Sequence, residues 1–332
     1  MRHATKPGDR KTPLADVTVL MGDDAFSISI VIPTLNPGRA FGTILHRIMG
    51  QGRVPLEIVC ADYGSTDGIR HIVSQFPTAR FVEVAEPAGP RSWNRAMEET
   101  RGDVVVFITQ DGLPGNGDWL SHLTAPFEDP SVGGVYGRQE VQMGGDPVIG
   151  FRLAQRFCEQ PHWRRIRVGD AVSYKSLPFF IENAAVRRTV WRGIHFNEHL
   201  PVGADRVWAR QVVLASYTIA YAPDAVVVRD VVAGLKAAYR NALLTGYTDQ
   251  HHGDGGGTLW PDSRHFVKRA AWYLLKGFAW GELPYLALED VVQRYAYRLG
   301  RRLDRMSPRL RGRFAPEMAQ PDRALEPDDW AA

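Results

Sequence analysis

Three acids stand where their neighbours are apolar. "VVVFITQDGLP", residues 104–114, is a run of β-branched and aromatic residues that stops at Asp111. "LEIVCAD" (56–62) stops at Asp62, and "LPVGADRVWARQ" (200–211) carries Asp205 just ahead of a helical pattern. An ionised carboxylate at the end of a buried strand is costly unless it is paired or bound to a cation. A hard divalent cation bridging a diphosphate is one economical partner, because Mg²⁺ and Mn²⁺ favour carboxylate and phosphate oxygens. The plain structural reading of Asp62 and Asp111 is a cap or turn after a strand. Two acids closing adjacent strands on one edge favour function instead: Asp111 for a metal, Asp62 for a nucleobase or ribose. Asp205 alone reads as the N-cap of "RVWARQVVLA".

The elements that must position these acids follow from periodicity. Strands are expected at 27–34, 56–62, 79–84 and 103–109, and helices at 39–51, 65–76 and 90–101, with Ser65 or Thr66 capping the second helix. This alternation with short connections argues an α/β fold with a parallel sheet covered by helices on both faces. Ligands in such sheets bind at the carboxyl ends of the strands. Those ends carry Pro33–Thr34–Leu35–Asn36, Asp62–Tyr63–Gly64–Ser65 and Gln110–Asp111–Gly112. Beyond residue 130 a strand is expected at 133–141, and two short strands around Pro223 within 217–230. From 231 the pattern is helical, broken by a Gly-rich loop at 251–257.

Bulk properties exclude several classes. A formal net charge of +3 on 332 residues gives no electrostatic case for nucleic acid. The two cysteines, Cys60 and Cys158, have no metal-like spacing, so a disulfide framework or zinc site is not expected and a reducing compartment fits. No stretch reaches the length of a membrane span. Residues 1–26 read as a flexible leader without a signal core, and 313–332 as a loose tail.

The ordered set "VIPTLN", "ADYGSTDG", "AGPRSWNRAMEETRGDVVVFITQDGLP" and "VYGRQ", continued by "IENAAVRRTVW" and "FNEHLPVGADRVWARQVVLASYTIAYAPDAVVV", resembles family 2 glycosyltransferases of the GT-A fold, over roughly residues 27–303. The "TQDGLP" to "VYGRQ" region looks most like the bacterial rhamnosyltransferase branch. The resemblance implies a Rossmann-like, mostly parallel sheet flanked by helices, with a helical C-terminal extension. It divides the chain into a catalytic domain at 27–235 (nucleotide-sugar half 27–130, acceptor half 131–235) and a helical region at 236–312. It implies that Pro33, Thr34, Asn36, Asp62, Gly64, Ser65, Asn94 and Gln110 line the donor nucleotide site. Asp111 would be the main ligand of a divalent metal, Mg²⁺ or Mn²⁺, and Asp205 the general base.

The chain departs from the family pattern at three points. Trp93 replaces the Arg of an Arg-Asn pair, with Arg91 or Arg95 as candidate substitutes. Ala204 replaces the Glu of a Glu-Asp pair. Arg229–Asp230 stands near the position of a metal-binding His, so Asp230 is a candidate second ligand and a charged turn is the plain reading.

The function implied is inverting, metal-dependent transfer of a sugar, rhamnose among the candidates, from a nucleoside diphosphate-sugar to a hydroxyl of a glycan or lipid-linked acceptor. A non-catalytic sugar-nucleotide-binding protein is one alternative. A sugar-nucleotide nucleotidyltransferase is another, disfavoured because "TLNPGRA" offers only Gly38 and Arg39 as a phosphate loop. "WRRIRVGD" (163–170) reads as an acceptor-binding segment or a solvated loop. Residues 266–303 mix aromatics with Lys and Arg; packing onto the catalytic domain is the commoner outcome, and peripheral contact with the inner face of the cell membrane the other. The expected location is cytoplasmic.

Overall fold

The computed structural model describes residues 26–85, 89–157, 166, 177–229, 234–252, 263–277 and 279–314. Eight strands form one sheet: β1 (Ile28–Thr34), β2 (Glu57–Asp62), β3 (Ala79–Glu83), β4 (Val104–Ile108), β5 (Gly112–Pro114), β6 (Val132–Val141), β7 (Asn183–Arg187) and β8 (Thr218–Arg229). Their order across the sheet is β3-β2-β1-β4-β7-β6-β8-β5. The first four are parallel, as the alternation predicts. The sheet as a whole is mixed: β7 lies antiparallel between β4 and β6, β8 is parallel to β6, and β5 is antiparallel to β8.

Alternation along the strands builds two cores. Ile28, Ile30, Ile32, Val104, Val106 and Ile108 point to one face, covered by α1 (Phe41–Met49), α2 (Ile69–Val73) and α4 (Trp119–Thr124). Val31, Val105, Phe107, Ala184 and Val186 point to the other, under α3 (Pro90–Glu98), α6 (Arg188–Gly193) and α7 (Ala204–Leu214). Central strands buried on both faces explain why "VVVFI" shows no polar alternation.

The remaining helices are α5 (Pro147–Arg156), α8 (Leu235–His252), α9 (Ser263–Lys276), α10 (Leu283–Gly300) and α11 (Pro308–Phe314). The α8 and α10 backbones meet at Gly246 and Gly300; a Cβ on Gly300 would collide with the Leu243 carbonyl, so only glycine allows the approach. Val148 and Phe151 of α5 pack with Ala270, Leu274 and Leu286, tying α9 and α10 to the sheet domain.

Three local expectations are corrected. The second helix begins at Ile69, not at Ser65, because Gly68 turns left-handed (φ 83°) and the Ser65 and Thr66 hydroxyls are used in the preceding loop. Residues 218–229 form one strand, not two: Pro223 falls where the β6 register jumps from Ala222 to Val226, so no ladder bond is needed from it. His251 and His252 close α8 and so do not belong to the Gly-rich loop.

Candidate active site

Topology brings Pro33, Thr34, Asn36, Asp62, Gly64, Ser65, Gln110 and Asp111 to one edge. β1, β2, β4, β6 and β8 all end there, and the antiparallel strands β5 and β7 begin there. Asn183 at the start of β7 lies beside Ile108 at the end of β4, so the Asp111 turn and the segment before β7 share this edge.

The donor side is a stitched set of loops. Asp62 is 1% exposed. Its Oδ1 accepts from the hydroxyls of Thr34 and Ser65, and its Oδ2 from the amides of Gly64 (3.0 Å) and Ser65 (2.8 Å). Ser65 Oγ in turn accepts from the Asn36 amide (2.7 Å), and Asn36, itself left-handed at φ 42°, accepts from the Thr66 amide at Oδ1 (2.8 Å). Gln110 clasps the backbone of Leu35: its Oε1 accepts from the amide (2.7 Å) and its Nε2 donates to the carbonyl (3.0 Å). Pro33 is half-buried between these anchors. Thr34, Asn36, Asp62, Gly64, Ser65 and Gln110 therefore hold one another in a fixed loop floor.

Asn94 lies apart from that floor. It is buried, and all four of its hydrogen-bonding positions are filled: Nδ2 donates to Phe196 O and Glu198 Oε1 (both 2.9 Å), while Oδ1 accepts from Trp191 Nε1 (3.0 Å) and the Phe196 amide (3.1 Å). Its geometry is that of a clamp between α3 and residues 191–198. Trp93 stands edge-on to Phe196, Arg91 pairs with Glu198 and Arg95 with Glu98.

Asp111 is answered by an arginine. Gly112 is opposite Arg229 in the β5–β8 ladder, which brings the guanidinium onto the preceding carboxylate: Nη2 to Oδ2 3.0 Å, Nε to Oδ2 3.1 Å, Nη2 to Oδ1 3.3 Å. Arg229 also donates to Gln139 (3.3 Å). Arg229 is a strand residue paired with Val141, which corrects the charged-turn reading; Asp230 lies outside the described residues. No group of three acidic, His or Cys side chains with metal-binding geometry occurs among the described residues. Asp111 is partly open to solvent, at 32% for its side chain. One accessible carboxylate suits a Mg²⁺ or Mn²⁺ ion whose other ligands are water and substrate phosphates, once the guanidinium turns away.

Asp205 is buried in the first turn of α7, two residues past the N-cap Gly203, which corrects its reading as the cap itself. Gly203, left-handed at φ 78°, is the residue that turns the chain into the helix. Asp205 accepts from the Arg206 amide at Oδ1 (2.9 Å) and from the Ile181 amide at Oδ2 (3.4 Å). Burial pushes its carboxyl up to about 6; the neighbouring Arg206 charge and the two amides pull down, and Glu182 pushes up again. Burial wins over the favourable field of a helix N-terminus.

Glu182, which the sequence reading missed, is half-buried, and its Oε2 is enclosed with no hydrogen-bond partner among the described residues. The signal was present: "LPFFIE" is another apolar run ending in an acid. Phe180 beside it carries the Arg156 guanidinium over its ring at 4.8 Å, where burial lowers the Arg156 pKa and the charges of Glu182 and Asp205 raise it. The segment 163–170 lies outside the described residues except Ile166, which bridges to Ile219.

Residues 29–192 match the family model described as Glycosyl transferase family 2. The chain is 25% identical over 291 residues to the O-antigen chain rhamnosyltransferase RfbN of Salmonella typhimurium, covering 82% of this chain and 89% of that protein. It is 26% identical over 300 residues to the O-antigen chain rhamnosyltransferase WbaN of Salmonella anatum, covering 83% and 89%. Among solved structures it resembles the mannosyltransferase PcManGT of Pyrobaculum calidifontis, in complex with GDP-Man and Mn²⁺, at a TM-score of 0.57 and 20% identity over 83% of this chain and 86% of that one. This last likeness is one of fold.

Proposed function

The chain belongs to glycosyl transferase family 2, a glycosyltransferase similar to O-antigen rhamnosyltransferases, and from that premise we propose that it moves a sugar, rhamnose first among candidates, from a nucleoside diphosphate-sugar to a hydroxyl of a growing glycan, free or lipid-linked, in cell-envelope polysaccharide synthesis. The observation that carries this reading is Asp205: an enclosed carboxyl raised to about 6, on the same sheet edge as the donor loops. A general base works best with a pKa near the operating pH, and an ordinary aspartate is too weak.

In the proposed reaction Asp205 takes the proton of the acceptor hydroxyl as its oxygen bonds to the anomeric carbon. The bond from that carbon to the diphosphate breaks on the opposite face, inverting the configuration. The orphaned Glu182 oxygen accepts from a second acceptor hydroxyl and fixes the sugar over Asp205. The loop floor of Thr34, Asn36, Asp62, Ser65 and Gln110 shapes the nucleotide pocket, with Pro33 against the base. Asp111 would hold a divalent cation, which when bound stabilises charge on the leaving diphosphate. The solved mannosyltransferase with GDP-Man and Mn²⁺ supports a nucleotide-sugar and metal site on this fold.

The test is nucleoside diphosphate release from a panel of sugar donors with Mn²⁺, for the wild type and Asp205→Asn. The expected result is turnover of one donor class, lost in the variant while donor affinity, read by thermal shift, stays. A variant that turns over at the wild-type rate overturns the role of Asp205.

A further inference from the structure

We propose that α9 and α10 form a docking surface for anionic phospholipid bilayers. Large apolar side chains are exposed on these helices and on the turn between them: Trp272 (61% exposed), Trp280 (60%), Val291 (63%), with Leu275, Leu288 and Tyr295. On α10 the spacing of Leu288, Val291, Tyr295 and Arg298 places all four on one outward stripe. On α9, Lys268, Trp272 and Lys276 recur at four-residue intervals, and Lys276 stands over the Trp272 ring at 5.1 Å. The inward faces are already used, Ala270 and Leu274 against Leu286 and α5, so this exposure is a second, unspent apolar surface.

Charge decides the occupant. Across 267–305 seven exposed side chains are cationic (Lys268, Arg269, Lys276, Arg298, Arg301, Arg302 and Arg305), none in a salt bridge among the described residues. The one exposed acid, Asp304, is paired with His251, while Glu289 and Asp290 are held by Arg152 and Arg294. A second copy docking by two-fold symmetry would set this cationic face against itself. Anionic headgroups answer the cations, and tryptophan and tyrosine rings suit the boundary of headgroup and acyl chain. No described helix is long and apolar enough to cross the membrane, so the contact is a surface one. The surface stands independently of the sugar-transfer reading; if Asp205 proved dispensable, it would be untouched.

The experiment is flotation of the full chain with vesicles of phosphatidylcholine, with and without about one third phosphatidylglycerol. Binding to the anionic vesicles, with a blue shift of tryptophan emission, is expected, and about tenfold or greater weakening on pure phosphatidylcholine or in high salt. Trp272→Ala/Trp280→Ala should weaken binding comparably. Lys268→Glu/Lys276→Glu, which changes only exposed groups and leaves every buried contact in place, should abolish it. Equal affinity for neutral vesicles, no flotation of the wild type, wild-type binding by folded variants, or a dimer that the charge-reversed variant disrupts would each overturn the proposal.

Discussion

Replacing Asp205 by asparagine should make the protein more stable at neutral pH while removing transfer. A carboxyl moved from an ordinary value of 3.8 to about 6 carries a penalty of about 3 kcal/mol when ionised. Asparagine removes that penalty but turns an NH₂ toward the Ile181 amide, whose bond to Oδ2 is long at 3.4 Å, at a cost of about 1 kcal/mol. The net gain is then about 2 kcal/mol, or about 4–8 °C for a domain of this size.

The pH dependence is the sharper test. A raised folded pKa means the native state binds more protons than the unfolded chain. The Asp205 contribution is therefore fully present below the ordinary value of 3.8 and is lost as pH rises through about 6. The melting difference between Asp205→Asn and wild type should be largest above about pH 7, shrink through pH 6, and vanish or reverse near pH 4. Differential scanning fluorimetry across that range measures it. A difference flat with pH, or a variant less stable than wild type at pH 8, would refute the claim that burial dominates at this carboxyl. In the active enzyme the same group should set the acid limb of kcat/KM near pH 6.

Glu182→Gln removes a charge that pushes Asp205 up, so the acid limb of kcat/KM should move below 6 and the acceptor KM should rise; a limb that stays put would separate Glu182 from the base. Arg229→Met frees Asp111 from a partly exposed ion pair of modest worth, so Mn²⁺ in the presence of nucleoside diphosphate should bind about two- to fivefold tighter; calorimetric titration reads this, and unchanged affinity counts against Asp111 as ligand. Gly300→Ala forces α10 off the Leu243 carbonyl and should cost about 2 kcal/mol or more in urea unfolding; a loss under about 0.5 kcal/mol would contradict the close helix approach.

The parallel half of the fold was legible because its elements are local. Each strand is a short apolar run, each helix an amphipathic stripe, and connections are too short for other topologies. The rest was less so. β7 is five residues of mixed character, Asn183–Arg187, recognisable only once it is seen filling the gap between β4 and β6. Pro223 argued for a break in β8, and only the register shift against β6 accommodates it. Ser65 and Thr66 looked like helix caps because their hydroxyls suit that use, but Asp62 and Asn36 compete for the same groups and hold them.

The acids divide along the same line. Asp62 finds its partners within three residues and on the neighbouring strand, so "ADYGSTDG" encodes most of its own satisfaction. Asp111 has no cation near it in sequence; its partner Arg229 is 118 positions away and arrives only through the pairing of the three-residue strand β5 with β8. A sequence can state that a carboxylate ending an apolar strand needs a counter-charge, but not which one the fold supplies. The distinction has chemical weight. Asp62 is locked by four neutral donors inside the protein and can offer a ligand little without dismantling its loop. Asp111 is balanced by one partly exposed guanidinium that a cation and a diphosphate could jointly displace, the cation taking the carboxylate and the phosphate taking the arginine. Of the two strand-end acids, Asp111 is thus the one whose occupancy can change during a reaction cycle.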